Sequence, residues 1–291
     1  MKRRAPPLLL LLAMTACASP GVRSSVRAQP ASSVLDTPRP PAPAAAPTGA
    51  LAIDAAAYAM TITVGAAAIT SSGATILLLG PRDQLAQHGA DAQFKRSEND
   101  LLLLPLAAAA ASARAADKAA RNTASSTALI VLEASTPYRL FVEVLFTLGQ
   151  NDFGAWDLLM PGEKRAPRRT TPPSRHTGAE LDLGKRSLNL TINIVDGGFQ
   201  LKTAKGNVAP GCDGTGAGLA IPTTAMGYDF SALARCVAKV KHAAPEFAEE
   251  TRVTITASAG VEFATVATVM DAIRVHDGAE LFPDVRFGIA R

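Results

Sequence analysis

The stretch LIVLEASTPYRLFVEVL, residues 129–145, combines the patterns of two different secondary structures. Its first part belongs to an apolar run from Thr127 to Glu133, which is typical of a buried strand. After a short turn, Pro137 suits a helix start because its missing N–H needs no partner there. Apolar residues then recur at helical spacing, and the apolar run 156–160 predicts a closing strand. The stretch therefore predicts a strand–helix–strand unit.

The residues before this unit predict another helix and two more strands. The alanine-rich segment 106–120 is a strong helix former. Residues 60–64 and 74–79 are short apolar runs of strand length. Residues 82–100 are polar and fit neither period, so we expect an insertion or loop there.

The C-terminal half has the clearer pattern. Residues 188–195 alternate between apolar and polar side chains, as a half-buried strand does. Asp196-Gly197-Gly198 is a hairpin signal, and 199–203 is the expected return strand. A glycine-rich loop at 206–227 is then followed by an expected helix from Asp229 to Pro245, a strand at 251–257, a helix at 261–275 and a strand at 285–289.

The two halves share one order of elements. A shift of about 125 residues places Ile130 on Ile255 and Phe141 on Val266. We therefore predict an α/β fold of the α+β type, with two tandem small modules, each a short mixed sheet with two helices packed on it. The first module would span 51–160, a linker 161–184 and the second module 185–291. Identity between the halves is low, and chance periodicity is the alternative.

The N-terminus has the layout of an export signal. Residues 1–16 contain a basic start, a leucine run and small residues, and the apolar run is shorter than the roughly 20 residues that span a bilayer. Met14-Thr15-Ala16-Cys17 resembles a bacterial lipobox, which predicts a lipid on Cys17. Ordinary secretion with cleavage near Ala28 is the alternative. Both interpretations predict a location outside the cytoplasm.

The segment after the export signal predicts a tether. Residues 17–50 are rich in proline and alanine and hold almost no large apolar residues, so we expect them to be disordered. We expect the folded part to lie in the periplasm, anchored to a membrane by the lipid. Ala18 is not the aspartate of an inner-membrane retention signal, which favours the outer membrane.

The charge balance gives no reason to expect a nucleic-acid partner. The chain has 29 Lys+Arg and 25 Asp+Glu, a net charge of +4, but three of the basic residues lie in 1–16. Without that segment the net charge is about +1, too small to imply a polyanionic partner. A basic run remains at 164–169, which we interpret as part of a solvated linker. Contact with an anionic surface is the alternative.

Cys212 and Cys236 are the two cysteines left once Cys17 carries lipid. An even pair in an oxidising compartment predicts a disulfide. Two free thiols, one on a buried helix face, are the alternative.

No catalytic or metal-binding motif is found in the sequence. The four histidines, His88, His176, His242 and His276, do not have metal-ligand spacing on one helix. The glycine-rich run 211–218 lacks the helix that a phosphate loop needs directly after it, and we interpret it as a surface loop. Glu143 and Asp271 are expected on solvated helix faces. The sequence therefore predicts a non-catalytic protein without a cofactor.

The segment 129–145 resembles the periplasmic domain of the ExbD/TolR biopolymer-transport proteins. In that family a strand ends in a charged residue, a short turn leads to Pro-Tyr, and a helix follows with a Val-Glu-Val-Leu core. Here the matching residues are Glu133, Pro137-Tyr138 and Val142 to Leu145. The second module is similar in element order but has no Pro-Tyr.

The resemblance implies a small α/β domain with two helices on one sheet face, and it implies self-association, so a homo-oligomer is possible. It also implies that Pro137, Tyr138 and Glu143 bind a partner, either an ExbB/TolQ-like channel subunit of a proton-driven complex or the cell wall. Family members carry a transmembrane helix with a proton-handling aspartate. This sequence has no such helix and no acidic residue before Asp36, so we do not expect it to conduct protons.

Two function classes follow from these observations. The first is an accessory or adaptor protein of the ExbD/TolR type, acting in transport linked to the proton-motive force. The second is a lipid-anchored structural or ligand-binding lipoprotein that has only the architecture in common, since a fold does not fix a function.

Overall fold

A computed structural model describes residues 54–121, 126–172 and 187–289 of the chain. Residues 49–291 form one compact unit, to which all of the described residues belong. Cys17, the export signal and the tether predicted at 17–50 lie outside the described residues.

The first module contains six strands and three helices. The strands are β1 (Met60–Val64), β2 (Ala68–Ser71), β3 (Ala74–Leu78), β4 (Ser126–Leu132), β5 (Phe153–Leu159) and β6 (Arg168–Thr170). The helices are α1 (Arg82–His88), α2 (Leu104–Arg121) and α3 (Tyr138–Gln150).

The second module contains eight strands and two helices. The strands are β7 (Thr191–Val195), β8 (Gly198–Thr203), β9 (Gly206–Asn207), β10 (Ile221–Pro222), β11 (Arg252–Ala257), β12 (Val275–His276), β13 (Ala279–Glu280) and β14 (Asp284–Phe287). The helices are α4 (Phe230–Lys241) and α5 (Phe263–Arg274).

The two main sheets have the same order and the same strand directions over five strands. The first is ordered β3-β2-β1-β4-β5-β6 and the second β10-β8-β7-β11-β14. Each sheet begins with an antiparallel hairpin, β1–β2 or β7–β8. The first strand of the hairpin also pairs in parallel with the strand that follows the next long helix, so that β1 pairs with β4 and β7 with β11. The final parallel strand, β5 or β14, follows α3 or α5. The predicted α+β fold with two sheet modules is confirmed.

Several elements lie where the apolar periodicity predicts them. β7 alternates in burial along its length, with Ile192 and Ile194 fully buried. Asp229 caps α4, because its side chain accepts a hydrogen bond from the backbone N–H of Ala232 at 2.8 Å. Gly198 closes the β7–β8 hairpin at φ 140°, where a Cβ would overlap the carbonyl oxygen of Ile221 in β10.

Two expectations about loops are wrong. Residues 82–100 contain α1 and a 3₁₀ turn at Ala92–Phe94, and Lys95 is buried beneath them. Within the proposed linker, residues 168–170 form β6, which pairs with β5. The side chain of Arg168 is 2% exposed, so this part of the basic run is not a solvated linker. In both places the structure buries a charged side chain, Lys95 or Arg168, together with its ion-pair partner. A search for apolar periodicity cannot detect such a pair.

The predicted disulfide is confirmed between Cys212 and Cys236, whose Cα atoms lie 5.6 Å apart. It ties the loop after β9 to α4. The glycine-rich run around Cys212 leads to β10 and not to a helix.

Removing this bridge should lower the free energy of unfolding. A sequence separation of 24 residues corresponds to about 3 kcal/mol from the restricted unfolded chain. We expect the double variant Cys212→Ala/Cys236→Ala to lose that amount in urea unfolding, and a thiol-specific reagent should find no free thiol at either position in the native protein. An unchanged unfolding midpoint would contradict the prediction.

Candidate functional site

The two modules meet through equivalent turns, each between a parallel strand and the helix that follows it. The backbone N–H of Tyr138 donates to the carbonyl oxygen of Val261 at 2.7 Å. Reciprocally, the N–H of Phe263 donates to the carbonyl oxygen of Thr136 at 2.8 Å. Under the shift of about 125 residues, Tyr138 corresponds to Phe263 and Thr136 to Val261. The contact therefore has the reciprocal form of a two-fold interface between identical subunits.

A second pair of hydrogen bonds follows the same correspondence: Arg139 N to Ala259 O at 3.0 Å, and Ala264 N to Ala134 O at 2.9 Å. The first N–H groups of a helix have no partner within that helix. Here α3 and α5 each satisfy two of these groups with carbonyl oxygens of the other module.

Aromatic side chains fill the space beneath the paired turns. The ring of Phe141 lies 5.1 Å from that of Phe263 and 4.8 Å from that of Phe287, both in the second module. The hydroxyl of Tyr138 has one proton, which it shares between two acceptors, the carbonyl oxygens of Gly288 at 2.6 Å and Ile255 at 3.1 Å. Burial raises the pKa of Tyr138, so the hydroxyl keeps this proton.

The structure does not present Pro137, Tyr138 and Glu143 to a partner. All three are buried within the chain, and Pro137 forms an isolated β-bridge with Glu262 of the second module. The role of these residues in binding a partner stays a prediction, and in this structure the turn that carries Pro137 and Tyr138 is covered by the equivalent turn of the second module.

Glu143 also departs from its expected solvated face. Its carboxylate pairs with Lys95 Nζ at 2.7 Å and Arg139 Nε at 2.9 Å, and it accepts a hydrogen bond from the N–H of Ala90 at 2.8 Å. The side chains of Glu143 and Lys95 are 0% and 1% exposed. Glu143 therefore anchors the 82–100 segment to α3.

A second charged cluster joins the end of the first module to α5. Arg168 donates bidentately to Asp271, at 3.0 Å for both bonds, and also to Glu163. Arg165 contacts the same two carboxylates. Asp271 is therefore not on a freely solvated face as expected, since its side chain is 34% exposed and pairs with both arginines. Burial raises the pKa of Asp271 above its ordinary value, although the nearby Arg165 acts in the opposite direction.

A cavity of about 810 Å³ lies where α3, the start of β5 and the end of β14 come together. Its wall is mainly apolar and aromatic, and six of its residues are Val142, Leu145, Phe146, Phe153, Trp156 and Phe287. Its volume is within the range of small-molecule sites. Both modules contribute to the cavity, so it exists only because they are paired.

Two arginines and one aspartate supply charge to the cavity wall. Arg114 is held by Ser126 at 2.6 Å and by the carbonyl oxygen of Asp152 at 3.2 Å. Arg286 comes from β14, where burial and the nearby Arg252 lower its pKa while Asp284 raises it. Asp152 is exposed at the rim. The cavity therefore combines an apolar interior with a small excess of positive charge.

Sequence reasoning did not predict the cavity residues. They come from four separated segments, and each has an ordinary pattern by itself: α2, α3 with β5, the residues just after β6, and β14 with the residues that follow it. One available signal was that Arg286 is the one charged residue of the strand predicted at 285–289.

Gly149 also lines the cavity, and alanine should be tolerated there. A Cβ at this position would lie 3.5 Å from the Trp156 ring, which is an ordinary van der Waals contact. Glycine inside a helix is less favourable than alanine by roughly 0.5–1 kcal/mol. We expect Gly149→Ala to raise the free energy of unfolding by about that amount in urea titration. A loss of stability would show that the cavity wall cannot accept the methyl group.

Two further properties hold for the described residues. Within 54–121, 126–172 and 187–289, no group of three or more His, Cys, Asp or Glu side chains is placed to hold a metal ion. Over the same ranges, no helix has both the length and the apolar character needed to cross a membrane.

No protein-family model, no curated protein and no solved structure matches this chain.

Proposed function

We propose that this chain is a non-catalytic envelope protein in which two ExbD/TolR-like modules are joined as an internal pair, and that it acts as an accessory or adaptor in transport linked to the proton-motive force. One observation supports this most directly. The Pro137-Tyr138 turn, which carries the resemblance, forms half of the reciprocal contact with Val261 and Phe263.

The internal pair of modules explains how a single chain could provide the self-association that the family resemblance implies. The resemblance implies self-association, which in proteins with one module per chain requires two copies. Here the second module covers the Pro-Tyr turn, and the partnership lies within one compact unit. We therefore expect any motor partner to bind the outer surface of the pair and not this turn.

An affinity pull-down of the exported chain from a detergent-solubilised envelope tests the proposal. We expect an ExbB/TolQ-like channel subunit, identified by mass, to be enriched over a control lipoprotein that carries the same 17–50 segment. The Cys17→Ser variant separates direct binding from shared membrane residence, because it retains the folded unit and removes the proposed lipid. Recovery of only cell-wall or outer-membrane material would overturn the proposal.

The location is part of the same proposal. The Cys212–Cys236 disulfide supports an oxidising compartment such as the periplasm. In cells fed a radiolabelled fatty acid, we expect label on the wild-type protein and none on Cys17→Ser, which should also leave the membrane fraction. Label on both forms would rule out Cys17 as the attachment site.

The cavity favours a second candidate function, that of a lipid-anchored ligand-binding lipoprotein. A cleft of about 810 Å³ with aromatic walls is not needed for an adaptor that works through its outer surface. If the pull-down recovers no channel subunit while the purified chain binds a small ligand, this second candidate replaces the first.

A further inference from the structure

We propose that the cavity between α3, β5 and β14 binds an uncharged apolar molecule, and that this ligand strengthens the contact between the two modules because it touches both of them. The inference goes beyond the adaptor proposal, since ligand binding needs no motor partner. Three features of the cavity support it: its apolar interior, the internal pairing of its charged residues, and the way in which the second-module part of its wall is held.

The interior of the cavity favours an apolar body. Phe146, Phe153, Trp156 and Phe287 contribute aromatic rings to a wall that encloses about 810 Å³. Protein interiors are close-packed and contain few voids larger than a water molecule, so an opening of this size is far larger than an ordinary packing void. Water in such a cleft finds few hydrogen-bond partners, and an apolar molecule that displaces it gains free energy.

The charged residues of the wall do not require a charged ligand, because both arginines have partners within the chain. Arg114 is held by Ser126 and by the carbonyl oxygen of Asp152. Arg286 pairs with Asp284 at 3.8 Å, and both arginines make further interactions within the chain. A charged ligand would therefore give up its hydration without gaining a free counter-charge, which is unfavourable.

The part of the wall that belongs to the second module is held by the module contact. The Phe287 ring lies 4.8 Å from the Phe141 ring, and the carbonyl oxygen of Gly288 accepts a hydrogen bond from the Tyr138 hydroxyl at 2.6 Å. Phe287 and Gly288 both line the cavity. The complete cavity therefore exists only while the modules are paired, and a ligand that touches both modules favours the paired state. By linkage, a change that loosens the contact should weaken ligand binding.

The chain has a single tryptophan, Trp156, which lines the cavity, so its fluorescence reports occupancy. Two sets of probes test the ligand class: decanol with decanoate and decylammonium, and cyclohexylmethanol with cyclohexanecarboxylate. We expect saturable fluorescence changes with at least one alcohol, and binding at least about 10-fold weaker for the ions that have the same apolar body. The alcohol that binds more tightly shows whether the site takes an extended chain or a compact ring.

Substitution of Gly149 tests whether this cavity is the binding site. Gly149→Leu fills space beside Trp156 and should abolish binding. Gly149→Ala is its folded control, because a Cβ there lies at ordinary contact distance from the Trp156 ring, and it should retain binding.

A matched pair of tyrosine variants tests the link to the module contact. Tyr138→Phe and Tyr228→Phe each remove one hydroxyl that donates to a backbone carbonyl oxygen, of Gly288 at 2.6 Å or of Val195 at 2.9 Å. Only Gly288 lines the cavity. We expect Tyr138→Phe to weaken binding of the tighter alcohol about 3- to 10-fold, as for the loss of one hydrogen bond that holds the wall in place. Tyr228→Phe should leave the affinity unchanged.

Three results would overturn the inference. The first is no fluorescence change with either alcohol up to its solubility limit. The second is an ion that binds as tightly as the alcohol with the same body, or full affinity in Gly149→Leu. The third is unchanged affinity in Tyr138→Phe or an equal loss in Tyr228→Phe, either of which would remove the link between the ligand and the module contact. None of these results bears on recovery of a channel subunit in the pull-down, so the two proposals can fail separately.

Discussion

Glu143→Ala is expected to lower the free energy of unfolding by about 3–5 kcal/mol, measured by urea titration. The substitution leaves the buried Lys95 ammonium without its carboxylate partner, since the Nζ–Oε1 distance is 2.7 Å and the Lys95 side chain is 1% exposed. Breaking a buried ion pair from one side costs this much because an uncompensated charge stays in the interior.

The surroundings of Glu143 explain why the protein cannot easily relax after this change. The carboxylate also accepts the N–H of Ala90, and Gly89 approaches it so closely that a Cβ there would overlap it. Gly89 adopts φ 74°, a conformation that glycine adopts without strain. The backbone at 89–90 is therefore shaped around the carboxylate, and alanine at 143 would leave both a charge and an N–H unsatisfied.

The matched control removes both charges together. Lys95→Met/Glu143→Leu replaces the pair by apolar side chains of similar volume, which is often neutral or stabilising. We expect the double variant to recover the part of the loss in Glu143→Ala that comes from the unpaired Lys95 charge, while the N–H of Ala90 stays without its acceptor. If the single variant loses less than 1 kcal/mol, water reaches Lys95 and the pair is not a buried anchor.

The sequence was sufficient to predict those helices and strands whose apolar residues recur with a clear period. The alternation at 188–195 contains β7, the Asp229 cap precedes α4, and the segment 129–145 includes the end of β4 and the start of α3. The shift of about 125 residues predicted one order of elements in both halves, and the structure adds that the two sheets also share one strand order. Each of these features depends on residues within a single element, mainly on the apolar residues along its buried face.

The features that were missed depend on residues far apart in sequence. Lys95 lies 48 positions before Glu143, and Arg168 lies 103 positions before Asp271. The sequence does not distinguish a charged residue that is exposed to water from one that is buried and paired with a distant residue. For this reason the 82–100 segment was expected to be an insertion or loop, and residues 168–170 part of a linker.

The paired turns show the same limit in another form. The sequence aligned Tyr138 with Phe263, but nothing in either half indicated that the aligned residues would touch. Repeats place equivalent surfaces in one chain, and equivalent surfaces can pair as they do in symmetric dimers. That step required the structure, which places Pro137 and Tyr138 inside the chain.

Phe141→Ala is expected to lower the free energy of unfolding by about 3–5 kcal/mol and to weaken the coupling between the modules. Phe141 is fully buried and contacts Phe263 and Phe287 across the module contact, so its removal leaves a cavity at the point where the modules meet. The wild-type chain should unfold in one cooperative transition. In the variant, we expect the calorimetric enthalpy to exceed the van't Hoff enthalpy, because the modules unfold separately.

Phe199→Ala provides the comparison that separates lost stability from lost coupling. Phe199 is also fully buried, but its ring contacts, Tyr228 at 5.2 Å and Phe230 at 5.9 Å, lie within the second module. We expect a similar loss of stability from that variant.

If Phe141→Ala kept a single transition with matching enthalpies, the hydrogen bonds of the turns and the Arg168–Asp271 pair would be sufficient to couple the modules. If Phe199→Ala split the transition and Phe141→Ala did not, the aromatic cluster at the module contact would have no role in coupling. A split confined to Phe141→Ala would make that cluster the main link between the two modules.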